Sequence, residues 1–223
     1  GPRRGRATAG PVTPLEGPLG EAAAAVRRGE LIVFPTDTVY GLGTRPDDRA
    51  ATARVFAAKQ RPRDLELPVL VATIEVARSV AVFDDRAERL ADACWPGPLT
   101  LVLARGADAA AWDLGGDPAT IGVRAPHHPL ALALLAETGP LAVTSANRSG
   151  HPPVQTCDEL HRLFGKDVAV YLCQGDPLEG AASTVLDLAH GPASVLREGA
   201  LGRDAIAQLL PDEVALLDSR PSS

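Results

Sequence analysis

The chain has 223 residues, enough for one large domain whose core needs neither disulfides nor a metal to fold. Its net charge of −6 argues against a general nucleic-acid coat, whose affinity comes mainly from neutralising phosphates. Aromatic residues are only 4% of the chain, so helices are expected to pack through alanine and other small side chains.

Residues 1–14, rich in Arg, Gly, Pro and Thr, read as a disordered tail. Arg3, Arg4 and Arg6 there form either a solvated cluster or a weak RNA contact. Gly1-Pro2 is set aside as a trimmed start. The segment leads into no apolar signal region, and no apolar run approaches the ~18 residues of a membrane span. A cytoplasmic location without membrane contact is the expectation. Leu19–Arg28 has the apolar spacing of a helix closed by Gly29, and Leu31–Phe34 is a short buried strand. Pro35–Gly43 reads as a loop. Asp48–Lys59 reads as a helix capped by Asp47 or Asp48 and stopped by Pro62. A strand over Pro68–Ala72, a helix over 85–94 and strands over Leu99–Leu103 and Ile121–Arg124 follow. His127-His128 starts a helix over Pro129–Glu137, and Leu141–Thr144 is a strand running into Ser145-Ala146-Asn147. Thr156 and Glu159 make a capping box for a helix to Phe164. Val168–Leu172, Thr184–Leu188 and Ser194–Arg197 are strand candidates, and Arg203–Leu210 is a helix before a tail over 211–223. Strands and helices alternate, which points to an α/β domain over residues 15–210 with a largely covered sheet.

Several strand ends carry polar groups suited to a small anionic ligand. Pro35–Gly43 offers two Thr hydroxyls, Asp37 and two glycines; its spacing fits neither a Walker loop nor a dinucleotide fingerprint. Lys59 and Arg61 stand two residues apart, so in extended chain they would share one side and bind a triphosphate or a carboxylate; the plainer alternative is capping of the helix end. Trp95-Pro96-Gly97-Pro98 reads as a rigid structural turn. Arg124, at a strand exit before a proline, suits a carboxylate clamp. Ser145 to Gly150 offers hydroxyls and backbone N–H groups to a phosphate. Cys94, Cys157 and Cys173 contain no CxxC pair and read as three reduced thiols. The five histidines show no metal-ligand spacing either, so no protein-bound zinc is expected.

Taken in order, these motifs are far more specific than any one alone. Pro-Thr-Asp-Thr-Val-Tyr-Gly-Leu-Gly, Lys-Gln-Arg-Pro, Trp-Pro-Gly-Pro-Leu-Thr, Val-Arg-Ala-Pro, Ser-Ala-Asn-Arg-Ser-Gly, Ser-Thr-Val and Leu-Arg-Glu-Gly together resemble the YrdC-type threonylcarbamoyl-AMP synthases in their single-domain form. The likeness runs from about Leu15 to about Leu210. It implies an open, twisted, mixed sheet with helices and a deep central cavity. It also implies a nucleotidyltransferase that combines L-threonine, bicarbonate and ATP into threonylcarbamoyl-AMP and pyrophosphate. The product would pass to a transferase complex that modifies tRNA to N6-threonylcarbamoyladenosine, and magnesium would arrive with ATP. By the same resemblance, Thr36, Arg124 and Ser183 would hold threonine, while Lys59, Arg61, Thr120, Ser145, Asn147 and Arg197 would contact nucleotide. Lys59, Arg61, Ser145 and Asn147 would carry the reacting phosphate. Three features depart from the pattern: Leu65–Ala72 lacks a histidine that members use to hold threonine, Glu66 places a carboxylate near an anionic ligand, and Pro153 stands where some members have a serine. The competing expectations are a relative that activates another amino acid or a carbamoyl group, and an RNA- or ribosome-binding factor.

Overall fold

The computed structural model describes residues 17–213; the N-terminal tail with its arginines and the chain beyond Glu213 lie outside the described residues. Helix α1 (Pro18–Arg27) leads through Gly29, at φ 74°, into strand β1 (Ile32–Phe34). A left-handed φ there suits a residue without Cβ. The next strand, β2 (Gly41–Thr44), overlaps the end of the segment expected to be loop. Glycine has low strand propensity, but a Cβ on Gly41 would stand 2.7 Å from Val143 Cγ1. The glycines at 41 and 43 therefore serve close packing against the neighbouring strand.

Helix α2 (Arg49–Lys59) starts at Asp48, whose carboxylate accepts from the Ala50 and Ala51 N–H groups. Strand β3 shortens to Val69–Leu70, and helix α3 (Ile74–Val80), capped by Thr73, was not anticipated from the pattern. Helix α4 (Asp85–Cys94), strands β4 (Leu99–Ala104) and β5 (Thr120–Arg124), helix α5 (Pro129–Thr138) and strand β6 (Leu141–Ser145) follow. Helix α6 (Cys157–Phe164) carries the anticipated Thr156–Glu159 capping box. Strands β7 (Val170–Tyr171), β8 (Thr184–Asp187) and β9 (Ser194–Arg197) and helix α7 (Arg203–Leu209) complete the elements. Beyond α7 the Glu213 carboxylate accepts from Arg86 at 3.2 Å.

Among the described residues, nine strands form one mixed sheet in the order β7-β1-β2-β6-β3-β5-β4-β8-β9. Three pairs are parallel, β1 with β7, β3 with β5 and β4 with β8. Alternate residues of β1 enter different cores: Leu31 and Val33 join one cluster, Ile32 and Phe34 the other. That period of two means both sheet faces are buried. One face packs on the alanine-rich α1 and on α5, as the scarcity of aromatics implied.

The expectation of three reduced thiols is corrected: Cys157 and Cys173 are joined as a disulfide, and only Cys94 is free. The pairing depends on α6 lying beside the exit of β7, which sequence spacing does not reveal.

Candidate active site

The loop between β1 and β2 is fixed by its own hydroxyls. Thr36 Oγ1 donates to the Val39 carbonyl at 2.6 Å and accepts from the Thr38 N–H at 3.1 Å. This turns Asp37 toward the end of β5, where Arg124 Nη1 meets its Oδ1 at 2.7 Å. Arg124 Nη2 donates to Thr38 Oγ1 at 3.2 Å. The turn before β4, read as purely structural, takes part as well: the Gly97 carbonyl accepts from Arg124 Nη1 at 3.4 Å. Above this loop runs the segment between β7 and β8, with Gly180 so close to the Thr38 carbonyl that no side chain would fit.

Thr36, Thr38, Arg124 and Ser145 line an inner lobe of about 120 Å³. A wider outer lobe of about 440 Å³ is lined by Glu66, Thr120, Val185 and Leu196. The two lobes share Arg61, Pro68, Thr100, Ser183 and Arg197, so they are halves of one cavity joined at two guanidiniums. Arg197 is steered by the Ser183 carbonyl, accepting at 2.9 Å, and Ser183 Oγ pairs with Thr100 Oγ1 at 2.9 Å. Arg61 Nη2 donates to the Glu66 carbonyl at 2.9 Å.

Lys59 is placed differently from the expectation. Gln60 adopts a left-handed conformation, φ 55°, so Lys59 ends the helix while Arg61 starts a new direction; they are not neighbours along an extended strand. Lys59 is 1% exposed and lines neither lobe. Its Nζ donates to the Ser145 carbonyl at 2.7 Å and to Asn147 Oδ1 at 2.9 Å, while Ser145 Oγ donates to the same Oδ1 at 2.7 Å. These partners exclude simple capping of α2. Lys59 instead stands behind the cavity wall and shapes the turn that follows β6.

Electrostatically the junction is a cation cluster. Burial lowers Arg61 and Arg197, and each is lowered further by a second guanidinium, Arg61 by Arg197 and Arg197 by Arg124. Arg124 is also lowered by burial, with Asp37 opposing. Burial, then Arg61, pushes Lys59 down to about 7. Such a cluster relaxes when an anion enters. Glu66 behaves less as an anion than its sequence implied. Burial raises it to about 7 against the opposing Thr120 hydrogen bond and Arg105 charge. Its Oε2 accepts from Thr120 Oγ1 at 3.1 Å, and Oε1 faces Arg105 Nη2 at 3.9 Å.

All nine expected residues therefore converge: seven on the cavity surface, with Lys59 and Asn147 buried just behind it. Sequence reasoning offered Thr38 and Asp37 only as ligand contacts, and foresaw neither Thr100 nor the Asp37–Arg124 pair. The fold and this site define an α/β protein built around a two-lobed cavity with clustered guanidiniums at its junction.

The chain belongs to the Sua5/YciO/YrdC family, whose sequence profile, described as telomere recombination, matches residues 24–199. A Mycobacterium tuberculosis relative provisionally named as a threonylcarbamoyl-AMP synthase is 41% identical over 197 residues, covering 88% of this chain and 90% of the relative. The threonylcarbamoyl-AMP synthase of Pyrococcus abyssi is 37% identical over 191 residues, 85% of this chain but 56% of its own length. The chain thus spans little more than half of that relative. The crystal structure of P. abyssi Sua5 complexed with L-threonine matches with a TM-score of 0.77 at 36% identity, covering 85% of this chain and 56% of that one. The crystal structure of E. coli YciO matches with a TM-score of 0.78 at 28% identity, covering 84% of this chain and 92% of that one.

Proposed function

We propose that this chain is an L-threonylcarbamoyladenylate synthase, joining L-threonine, bicarbonate and ATP into threonylcarbamoyl-AMP with release of pyrophosphate. The observation that carries the reading is the two-lobed cavity with Arg61 and Arg197 at its junction. A small amino acid fits the inner lobe and a nucleoside the outer one. The relatives' names, and the L-threonine bound in the P. abyssi structure, support the same substrates.

In this reading the threonine amine condenses with bicarbonate, losing water, to give a carbamate. A carbamate oxygen attacks the α-phosphorus of ATP, and the bond to the β-phosphate oxygen breaks to free pyrophosphate. No side-chain nucleophile is needed; the protein positions the partners and neutralises charge. Arg124, held by Asp37 and Thr38, presents a guanidinium to the threonine carboxylate. Arg61 and Arg197 face the phosphates, and the turn held by Lys59 offers Ser145 to them. Magnesium enters on the triphosphate, keeping several waters.

The product is an activated acyl adenylate, and the consumer we propose for it is a transferase acting on tRNA adenosine. Work in the cytoplasm fits that substrate; none of the described helices is long and apolar enough to cross a membrane. The test is mass spectrometry of the purified protein with ATP, bicarbonate and a panel of amino acids. The expected result is threonine-dependent pyrophosphate and a threonylcarbamoyl adenylate. Equal turnover with another amino acid, or none with threonine, refutes the substrate assignment.

A further inference from the structure

Away from the substrate cavity, α6 and the chain leaving β7 bring three soft ligands together. Cys157 and His161 lie one turn apart on the same face of α6. Cys173 approaches from the chain that follows β7. One ligand atom from each of the three residues lies within 4.8 Å of the other two. The His161 ring stacks on Tyr171, centroids 3.8 Å apart, and the Tyr171 hydroxyl donates to the Gly165 carbonyl at 2.8 Å. The imidazole plane is therefore fixed from behind. Cys157 is the first residue of α6, where unpaired N–H groups favour an anionic sulfur. His161 and Cys173 are exposed, so ions and small reagents reach them.

We propose that, once reduced, Cys157, His161 and Cys173 form a binding site for a soft divalent cation of the zinc class, and that the disulfide is the oxidised, cation-free state of the same site. Reduction is thiol–disulfide exchange: a small dithiol opens the S–S bond, leaves two cysteine thiols and departs as its own disulfide. The cation then displaces two thiol protons and is held by two thiolates and a neutral imidazole nitrogen. This donor set favours zinc over magnesium, which prefers oxygen. A tetrahedral ion would keep a fourth position for water or a carboxylate; Asp158 and Asp176 line the cleft beside Cys157. A disulfide needs only the two sulfurs, so the imidazole oriented one turn along is what points to a cation. The clip would also anchor the start of the segment that crosses the substrate loop, since Gln174 N donates to the Tyr40 hydroxyl at 3.1 Å.

The experiment uses the full chain, reduced with dithiothreitol and freed of reductant and metal under anaerobic conditions. It is titrated with Co²⁺ and then Zn²⁺. One equivalent of Co²⁺ is expected to give sulfur-to-cobalt charge-transfer bands and the visible bands of a tetrahedral ion, both abolished by Zn²⁺. Zinc affinity, read against a chromophoric chelator, is expected to fall by about tenfold or more in His161→Ala and further in Cys173→Ser. Oxidation to the disulfide is expected to release the ion. A cobalt spectrum without thiolate bands, or equal zinc affinity in wild type and both variants, overturns the proposal.

Discussion

The two lobes of the cavity are built by different means. The inner lobe is pre-paired: Thr36, Asp37, Thr38 and Arg124 already satisfy one another through hydrogen bonds of 2.7–3.2 Å. It therefore pays little reorganisation when a ligand of matching shape arrives, and a mismatch leaves buried polar groups unpaired. The outer lobe is wider and partly apolar, with Leu196 59% exposed on its rim. It is expected to hold a ligand by area and charge more than by directed bonds. Selectivity is thus expected to reside in the inner lobe and tolerance in the outer one.

The sharpest way to break this contrast is Arg124→Lys, which keeps the charge but removes the fork that spans Asp37 and Thr38. Threonine kcat/KM is expected to fall about 100-fold, or ~2.7 kcal/mol, while the KM for ATP changes less than about threefold. Initial-rate kinetics with each substrate varied separately read this. A loss confined to ATP would reverse the assignment of the lobes.

Lys59→Met tests the wall behind the inner lobe. It preserves length but removes the donor that holds Ser145 and Asn147, so kcat/KM for ATP is expected to fall about tenfold or more. The same variant tests the charge. Lys59 is lowered from 10.5 to about 7 in the folded protein, so between those values the unfolded chain binds the extra proton. Stability of the ligand-free protein therefore gains from Lys59 as pH rises through that window, and the gain is absent in Lys59→Met. An incoming triphosphate is expected to restore the ammonium. Calorimetry in buffers of different ionisation enthalpy is expected to show proton uptake on nucleotide binding at pH 8, absent in the variant. A wild type that binds without proton uptake would show that Lys59 does not sense the phosphates.

The smallest effect is expected at Leu196→Ala on the outer rim. Removing an exposed apolar side chain placed to cover a base is expected to raise the KM for ATP only about two- to threefold and to leave the KM for threonine unchanged. A tenfold loss would mean that the outer lobe is as exacting as the inner one.

Much of this organisation is legible in the chain because it is local. Helix caps at Asp48 and Thr156, and the strand ends that carry Arg124, Ser145 and Arg197, follow from nearest-neighbour rules. What the residues hide is the pairing across long separations. Arg124 meets Asp37 at a distance of 87 residues, and Lys59 meets Ser145 at 86. Strand β2 escaped because its two glycines serve close packing, a tertiary demand that overrides propensity. Glu66 read as a misplaced anion because burial, which raises its carboxyl, is not visible in composition.

The most direct test of the account is a crystal structure of this chain with L-threonine and a non-hydrolysable ATP analogue. The expected result places the threonine carboxylate on Arg124 in the inner lobe. The base should lie against Leu196 in the outer lobe, with the phosphates crossing between Arg61 and Arg197. A nucleotide base in the inner lobe, or threonine bound away from Arg124, would contradict it.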